Sequence, residues 1–436
     1  MQSKKNVALW ILYDFANSII SIVFFLYFAQ WIVIDRGVQD IYFNLAFTIS
    51  AVLLLLTAPI TGALLDKFLR RIAGLRYATI FTVIFYGLCA LSAISNREIL
   101  ALVFFTLGLY SYLLSFTFYT PLINDIAPAG KRGRISGFGI TASYLGQIAG
   151  LLIALPFSNG SLSFFQAAPR AETLLPSVII FFILSLPMLI FFKEPTRIRN
   201  KLSIKSNLKN VLTETKLLFT LSSVSFFLLA YFLFNDAVLT ASNNFPIFLE
   251  QVWHVSDTVK TYILLGVLIT SAIGGTLSGF IADRFGHKRT LMVIVGGWII
   301  LLPLVGLVTN FTLFIIATTL MGFWFGANWT VSRSVMATIV PKGRHNLAFA
   351  YFGVAERASS LIGPIIWGLV VSNLVSLGSA RYRIAILAVT GFIILGLIAL
   401  SKVKDDRKQG LKQGLYTDNN PKSHDRPIRS TSNQRI

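Results

Sequence analysis

Twelve apolar runs, each about 20 residues or longer, follow one another along this chain. A run of that length is read as an α-helix crossing a lipid bilayer. They lie near residues 7–32, 42–65, 76–95, 99–124, 135–157, 174–192, 222–248, 260–282, 290–308, 312–337, 346–373 and 383–401. The runs are continuous, whereas the strands of a membrane β-barrel alternate apolar and polar residues. Composition agrees: 55% of the 436 residues are hydrophobic and only 13% charged, with a mean hydropathy of +0.71. A soluble domain carries about a quarter charged residues. The sequence therefore predicts an all-α polytopic membrane protein with twelve transmembrane helices.

The formal net charge of +20 raises the question of a nucleic-acid partner, and its distribution answers it. An even number of spans places both termini on one side. Thirty of the 38 Lys and Arg fall in the loops and termini of that side, and six fall opposite. Arg333 and Arg357 are the two inside spans. This is the positive-inside pattern, which puts both termini in the cytoplasm and the chain, by expectation, in the plasma membrane. Anionic lipid heads are a secondary partner for the basic loops. No nucleic acid is expected.

Other chemistries find little support. The single Cys89 rules out an intramolecular disulfide, and the four His show no metal-ligand spacing, so neither metal nor cofactor is predicted. No phosphate-binding Gly-x-x-x-x-Gly-Lys-Ser/Thr loop is present. Membrane enzymes of lipid chemistry need clustered acids for a divalent metal, or a nucleophile beside its base. The eighteen acids here are scattered, and Asp405-Asp406 fall in the polar tail, so the chain is not read as an enzyme.

Charge and polarity divide the chain into an N-terminal bundle, residues 1–192, and a C-terminal bundle, 219–401. Between them lies a basic cytoplasmic linker, 193–218, and a basic tail, 402–436, is expected to be disordered. Three local patterns recur in both halves. Tyr13-Asp14-Phe15-Ala16-Asn17-Ser18 in span one is echoed by Asn235-Asp236-Ala237 in span seven. Gly62-Ala-Leu-Leu-Asp66-Lys67-Phe-Leu-Arg70-Arg71 is echoed by Gly279-Phe-Ile-Ala-Asp283-Arg284-Phe-Gly286-His287-Lys288-Arg289. Ile126-Ala-Pro128-Ala-Gly130-Lys131 is echoed by Ile339-Val-Pro341-Lys-Gly343-Arg344. Repeated halves around a midplane site are a transporter architecture, here two pseudo-symmetric six-helix bundles.

The loop after spans two and eight resembles the signature of the major facilitator superfamily. Within that superfamily the chain is similar to the branch of autophagy-related vacuolar amino-acid effluxers and their prokaryotic relatives. The resemblance rests on Tyr13 to Ser18, on Asn235-Asp236, on Ser332-Arg333-Ser334 in span ten and on Gly363-Pro364 in span eleven. Leu69 stands where that signature usually has Gly, and Ala237 where the branch often has Gly. The resemblance implies secondary active transport of an amino acid or related polar solute by alternating access, with protons as a candidate coupling ion. A passive facilitator, an exporter of another small molecule and a transport-inactive sensor are the alternatives.

The residues nominated for the substrate or ion pathway are Tyr13, Asp14, Asn17, Asn235, Asp236, Asn328, Trp329, Glu356 and Arg357. A carboxylate inside an apolar helix costs roughly 2.5 kcal/mol or more in insertion, so it is rarely incidental. Asp14 and Asp236 can carry a proton, pair with a substrate ammonium, or hold helices together by hydrogen bonds. Glu356 and Arg357 are adjacent, about 100° apart on a helix, so one is expected to face the cavity and the other a neighbouring helix. A cytoplasmic gate is assigned to Asp66, Arg70, Asp125, Asp283, Arg284 and Arg333, with an Asp125–Arg333 pair between bundles as one candidate closure. Gly146 and Gly150 are spaced for close helix contact.

Overall fold

The computed structural model describes residues 2–67, 70–126, 132–194, 222–340 and 345–404. The linker beyond residue 194, the tail beyond residue 404, the side chain of Asp66 and the Pro128 and Pro341 loops lie outside the described residues. Among the described residues there are helices and turns and no strand. Twelve helices are long and apolar enough to span a membrane. They are α1 (Gln2–Val23, prolonged to Asp35), α2 (Asp40–Lys67), α3 (Arg71–Ile94), α4 (Glu98–Tyr119), α5 (Arg132–Ser158) and α6 (Leu174–Phe191), followed by α7 (Ser222–Trp253), α8 (Asp257–Phe285), α9 (His287–Leu307), α10 (Phe311–Ile339), α11 (His345–Ala358, resuming as Gly363–Asn373) and α12 (Ala380–Ser401). The face at which α1 begins and α12 ends is called inner below, and the opposite face outer.

Local chemistry sets several boundaries. The Ser256 side chain accepts from the Val259 amide to start α8, and the Asn310 side chain accepts from Leu313 to start α10. Gly286, with φ of +100°, turns the chain between α8 and α9, a conformation that a side chain disfavours. This is the glycine of the second signature loop.

Two helices depart from the continuous spans expected. The outer part of α1 widens into π-helical turns at Phe24–Phe28 and Trp31–Asp35, with buried aromatics on both. Phe24 stacks on Tyr86 at 4.1 Å and Phe28 on Phe105 at 4.4 Å, tying this segment to α3 and α4. In α11 the helix stops at Ala358 and restarts at Gly363. Pro364 is the reason: it lacks an amide proton, and its ring excludes the carbonyl four residues earlier.

Glycines let the helices approach. A Cβ built on Gly146 or Gly150 of α5 would press on the Phe15 and Ile19 carbonyls of α1. In α8 and α10, Cβ atoms at Gly274 and Gly326 would overlap the Phe323 and Ser271 carbonyl oxygens respectively, while one at Gly296 meets nothing within 4 Å. In lipid such contact is a main source of helix association, because apolar burial alone gains little there. Gly326→Val is therefore expected to lower the melting temperature and folded yield, by an overpacking cost of about 1–3 kcal/mol. Gly296→Ala should leave both unchanged, and equal melting of the two variants would contradict the packing account.

Candidate transport pathway and its two ends

At the outer face a group of charges bridges the two bundles. Arg170, in the turn Pro169–Glu172 that leads into α6, lies 2.7 Å from Asp35 of α1, 2.8 Å from Glu250 of α7 and 2.8 Å from Asp257 of α8. Two nitrogens of its planar fork engage the two oxygens of Asp257, at 2.8 and 3.1 Å. Lys260 of α8, fully buried, joins Asp257 at 2.8 Å and also contacts Glu250 and the side-chain amide oxygen of Gln30, which lies between the π-helical turns of α1.

The arginine is presented by a tied loop. Buried Glu172 accepts the Ser163 hydroxyl at 2.6 Å and the amides of Phe164 at 2.6 Å and Ala167 at 2.9 Å. Below these charges Asn44 of α2 and Asn244 of α7 exchange two amide hydrogen bonds, at 3.0 and 2.8 Å. Tyr382 of α12 donates to Asp40 of α2 at 3.2 Å. Arg170 with Glu250 and Asp257, Lys260 with Gln30, Asn44 with Asn244 and Tyr382 with Asp40 all cross from one bundle to the other, so the outer end is sealed.

Toward the inner face the bundles present a second set of charges with far fewer mutual bonds. Arg333 of α10 pairs with Glu356 of α11 at 3.4 Å, and their side chains are 39% and 18% exposed. Arg357 turns the other way. Its guanidinium donates to Thr120, just beyond α4, at 2.9 Å, to its own Gly353 carbonyl at 3.2 Å, and lies 5.3 Å over the Phe116 ring. Thr120 and Phe116 belong to the opposite bundle, so Arg357 spans the interface. Half-buried Asp14 of α1 has the Ser143 hydroxyl of α5 beside it, with Arg333 within electrostatic reach. Gly139 makes room here, because a Cβ would meet Trp10 and come within 3.2 Å of the Asp14 carboxylate.

The nominated residues thus divide. Asp14, Arg333, Glu356 and Arg357 come together at the bundle interface. Asp236 does not join them: it is fully buried, and its two oxygens accept the amides of Leu361 at 3.0 Å and Gly363 at 2.6 Å. It sits at the N-terminus of the outer part of α11, where a carboxylate is favoured by the exposed amides and the helix dipole. Thr48 of α2 donates to the Leu361 carbonyl at 3.0 Å, so the break in α11 is held by both bundles. Tyr13 is fully buried against Thr79 of α3 at 2.7 Å, inside its own bundle.

Asn17, Asn235 and Asn328 are buried with neither side-chain amide atom hydrogen-bonded, and the Trp329 indole N–H has no acceptor. Of the gate residues, Asp125 pairs with Arg71 of α3 at 3.3 Å, inside the N-terminal bundle, rather than with Arg333 across the interface, because helix rotation and tilt turn it that way. Asp283 is 76% exposed, 3.8 Å from His287 in its own loop, Arg284 lies over the Phe285 ring at 5.5 Å, and Arg70 is exposed. The outer seal was not anticipated. Its one visible signal is that spans one, six, seven and eight carry opposite charges at their outer ends, with Gln30 inside an apolar run.

Comparison with known proteins bears on this geometry. The family described as "Vacuole effluxer Atg22 like" matches residues 38–408. An MFS-type transporter of Bacillus subtilis (strain 168) is 25% identical over 419 residues, covering 89% of this chain and 94% of its own. An autophagy-related protein 22 of Candida glabrata is 25% identical over 206 residues, 43% of this chain and 37% of its own. Among solved structures, a bacterial homologue of the human lysosomal transporter Spinster superposes with a TM-score of 0.69 at 15% identity, over 92% of this chain and 96% of its own. The fold is that of the major facilitator transporters: two pseudo-symmetric six-helix bundles in an integral, multi-pass membrane protein.

The surroundings of Asp236 separate a structural role from a transport role. Asp236→Ala strands two buried amides and is expected to cost about 1–3 kcal/mol of stability. Asp236→Asn keeps one acceptor and should melt between that variant and wild type. Melting temperatures of both variants indistinguishable from wild type would exclude the bracing role.

Proposed function

This chain belongs to the Atg22-like vacuole effluxer family of the major facilitator transporters, and from that premise we propose that it carries a small zwitterionic solute, an amino acid or a related metabolite, by alternating access. One observation supports this reading above the others. Two guanidiniums and two carboxylates, Arg333, Arg357, Asp14 and Glu356, stand at the bundle interface in formal balance. A solute with one carboxylate and one ammonium matches such a set without leaving net charge in a medium where uncompensated charge is costly.

Each side chain then has a task. Arg357, already bridging the bundles, offers a planar fork to the substrate carboxylate. Arg333 is held by Glu356 and is released when a substrate anion replaces that partner. Asp14, with only a hydroxyl beside it, receives the ammonium or a coupling proton. The unpartnered amides of Asn17, Asn235 and Asn328 have capacity for water or for polar groups of the solute. The outer seal describes one end of the cycle, and its separation the other.

Orientation follows from charge. Thirty Lys and Arg against six support an inner face that looks into the cytoplasm, with anionic lipid heads around the basic loops. On this reading residues 1–192 and 219–401 are the moving bodies, joined by the 193–218 linker and followed by the 402–436 tail.

Uptake into proteoliposomes tests the assignment. A melting screen of amino acids, sugars, nucleosides and organic anions at two pH values selects the solute, since a ligand that binds the folded state raises its melting temperature. For a transported amino acid, Arg357→Gln should weaken binding roughly tenfold or more, in line with loss of a charge-assisted bond of about 1.5–3 kcal/mol. Asp14→Asn should abolish uptake driven by a pH gradient and leave counterflow largely intact. Selective stabilisation by a solute of another class would discard the zwitterion reading, and an unchanged pH response in Asp14→Asn would remove that residue from proton coupling.

A further inference from the structure

The outer seal holds an unequal number of charges, and the inequality falls on one bundle. The N-terminal bundle contributes Asp35 and Arg170, which balance. The C-terminal bundle contributes Glu250, Asp257 and Lys260, two acids to one base. While the bundles are together, Arg170 reaches all three carboxylates and every acid has a cation. Parting them leaves Arg170 with Asp35, and leaves one carboxylate of the C-terminal bundle in excess.

Geometry says which one. Asp257 is three residues from Lys260 on the same helix, and its side chain is only 9% exposed, so that pair travels as a unit. Glu250 is on α7, its side chain is 25% exposed, and its contact with Lys260 is shared with Asp257. On this account of an outer end that opens, which rests on the alternating-access reading above, we propose that Glu250 is a proton-binding site of the outer gate. It takes one proton from the outer solution as Arg170 departs and returns it there when the seal re-forms. The open state then holds one more proton than the sealed state, and by linkage its population rises as the outer pH falls. The gate responds to acidity at a point far from Asp14 and separate from any coupling proton there.

The groups surrounding Glu250 are defined. Beyond Asp35, Arg170, Asp257 and Lys260, Tyr27 of α1 reaches Thr261 of α8 at 3.3 Å. Arg36 is held by Glu98 in a pair at the neighbouring end of α4. Asp40 and Arg381 flank Tyr382 on α2 and α12. His254, one turn after Glu250, is exposed, and its backbone amide donates to the Glu250 carbonyl. Its imidazole is the alternative sensor.

Spin labels on Ser161→Cys and Ser376→Cys, in outer loops of opposite bundles, report the opening in a Cys89→Ser background. In the otherwise unchanged protein the longer inter-label distance should gain population between alkaline and acidic pH. Glu250→Gln should show the acidic distribution at both, whereas Glu250→Asp should keep the response. Arg170→Ala should open the outer end at either pH. If Arg170→Ala leaves the short distance in place, the outer end does not open and the premise itself fails. If it lengthens the distance but Glu250→Gln keeps the full pH response, or His254→Gln abolishes it, the site is not Glu250.

Discussion

A hydrogen-bonding group inside hydrocarbon finds its partner within the protein or goes without, and this constraint shapes the molecule at every level. Helices satisfy their own backbones, so the difficult places are those where a helix is interrupted. At the break in α11 the amides of Leu361 and Gly363 are answered by Asp236 from α7, and the Leu361 carbonyl by Thr48 from α2. An apolar side chain at position 236 would leave those amides stranded. An acid that is costly to place in the membrane is therefore the one that makes a broken helix tolerable. The break in turn ends the inner part of α11 just after Glu356 and Arg357, where their side chains can turn to different bundles.

The two ends of the pathway differ in how their charges are connected. At the outer face, charges from α1, the turn before α6, α7 and α8 form one continuous set across the interface, with Lys260 removed from solvent. Isolated surface pairs contribute roughly 0–1 kcal/mol, but a connected and partly desolvated network is harder to dissolve, since removing one member strands the others. At the inner face the pairs stay mostly within bundles: Arg71 with Asp125, and Arg333 with Glu356. Arg357 reaching Thr120 crosses the gap there. Bonds between bundles hold one end shut, while at the other end the charges are tied mostly within their own bundles.

How far this could be read from sequence follows from the scale of each signal. Span number and bundle architecture depend on runs of about 20 residues and on repeats such as Asp66–Arg71 against Asp283–Arg289, which survive local irregularity. Asp14, Arg333, Glu356 and Arg357 were legible because a charge inside an apolar run has few explanations. Their pairing was not. Asp125 turned to Arg71 and not to Arg333, because a partner is chosen by helix rotation and tilt, which a linear pattern leaves open. The π-helical turns of α1 add a residue to a turn without any compositional mark, and they place Gln30 against Lys260. Arg170 looked like one of six sparse outer cations, since its importance lies in three acids distant in the chain.

The repeated acids show most clearly how matching positions in the two halves differ. Asp14 and Asp236 occupy matching places in spans one and seven, yet their surroundings differ in kind. Asp14 faces Ser143 and the open interface, with Gly139 keeping space beside it. Asp236 is enclosed by backbone amides that only a broken helix supplies, and Gly363 lets that backbone come close, since a Cβ there would meet the Asp236 carboxylate at 3.1 Å. A carboxylate with unfilled acceptor capacity can exchange partners during a transport cycle. One whose oxygens already hold fixed amides is a brace. On the function proposed above, the same residue type serves movement in one half and rigidity in the other, and the difference in surroundings traces to Pro364, which breaks the helix opposite Asp236.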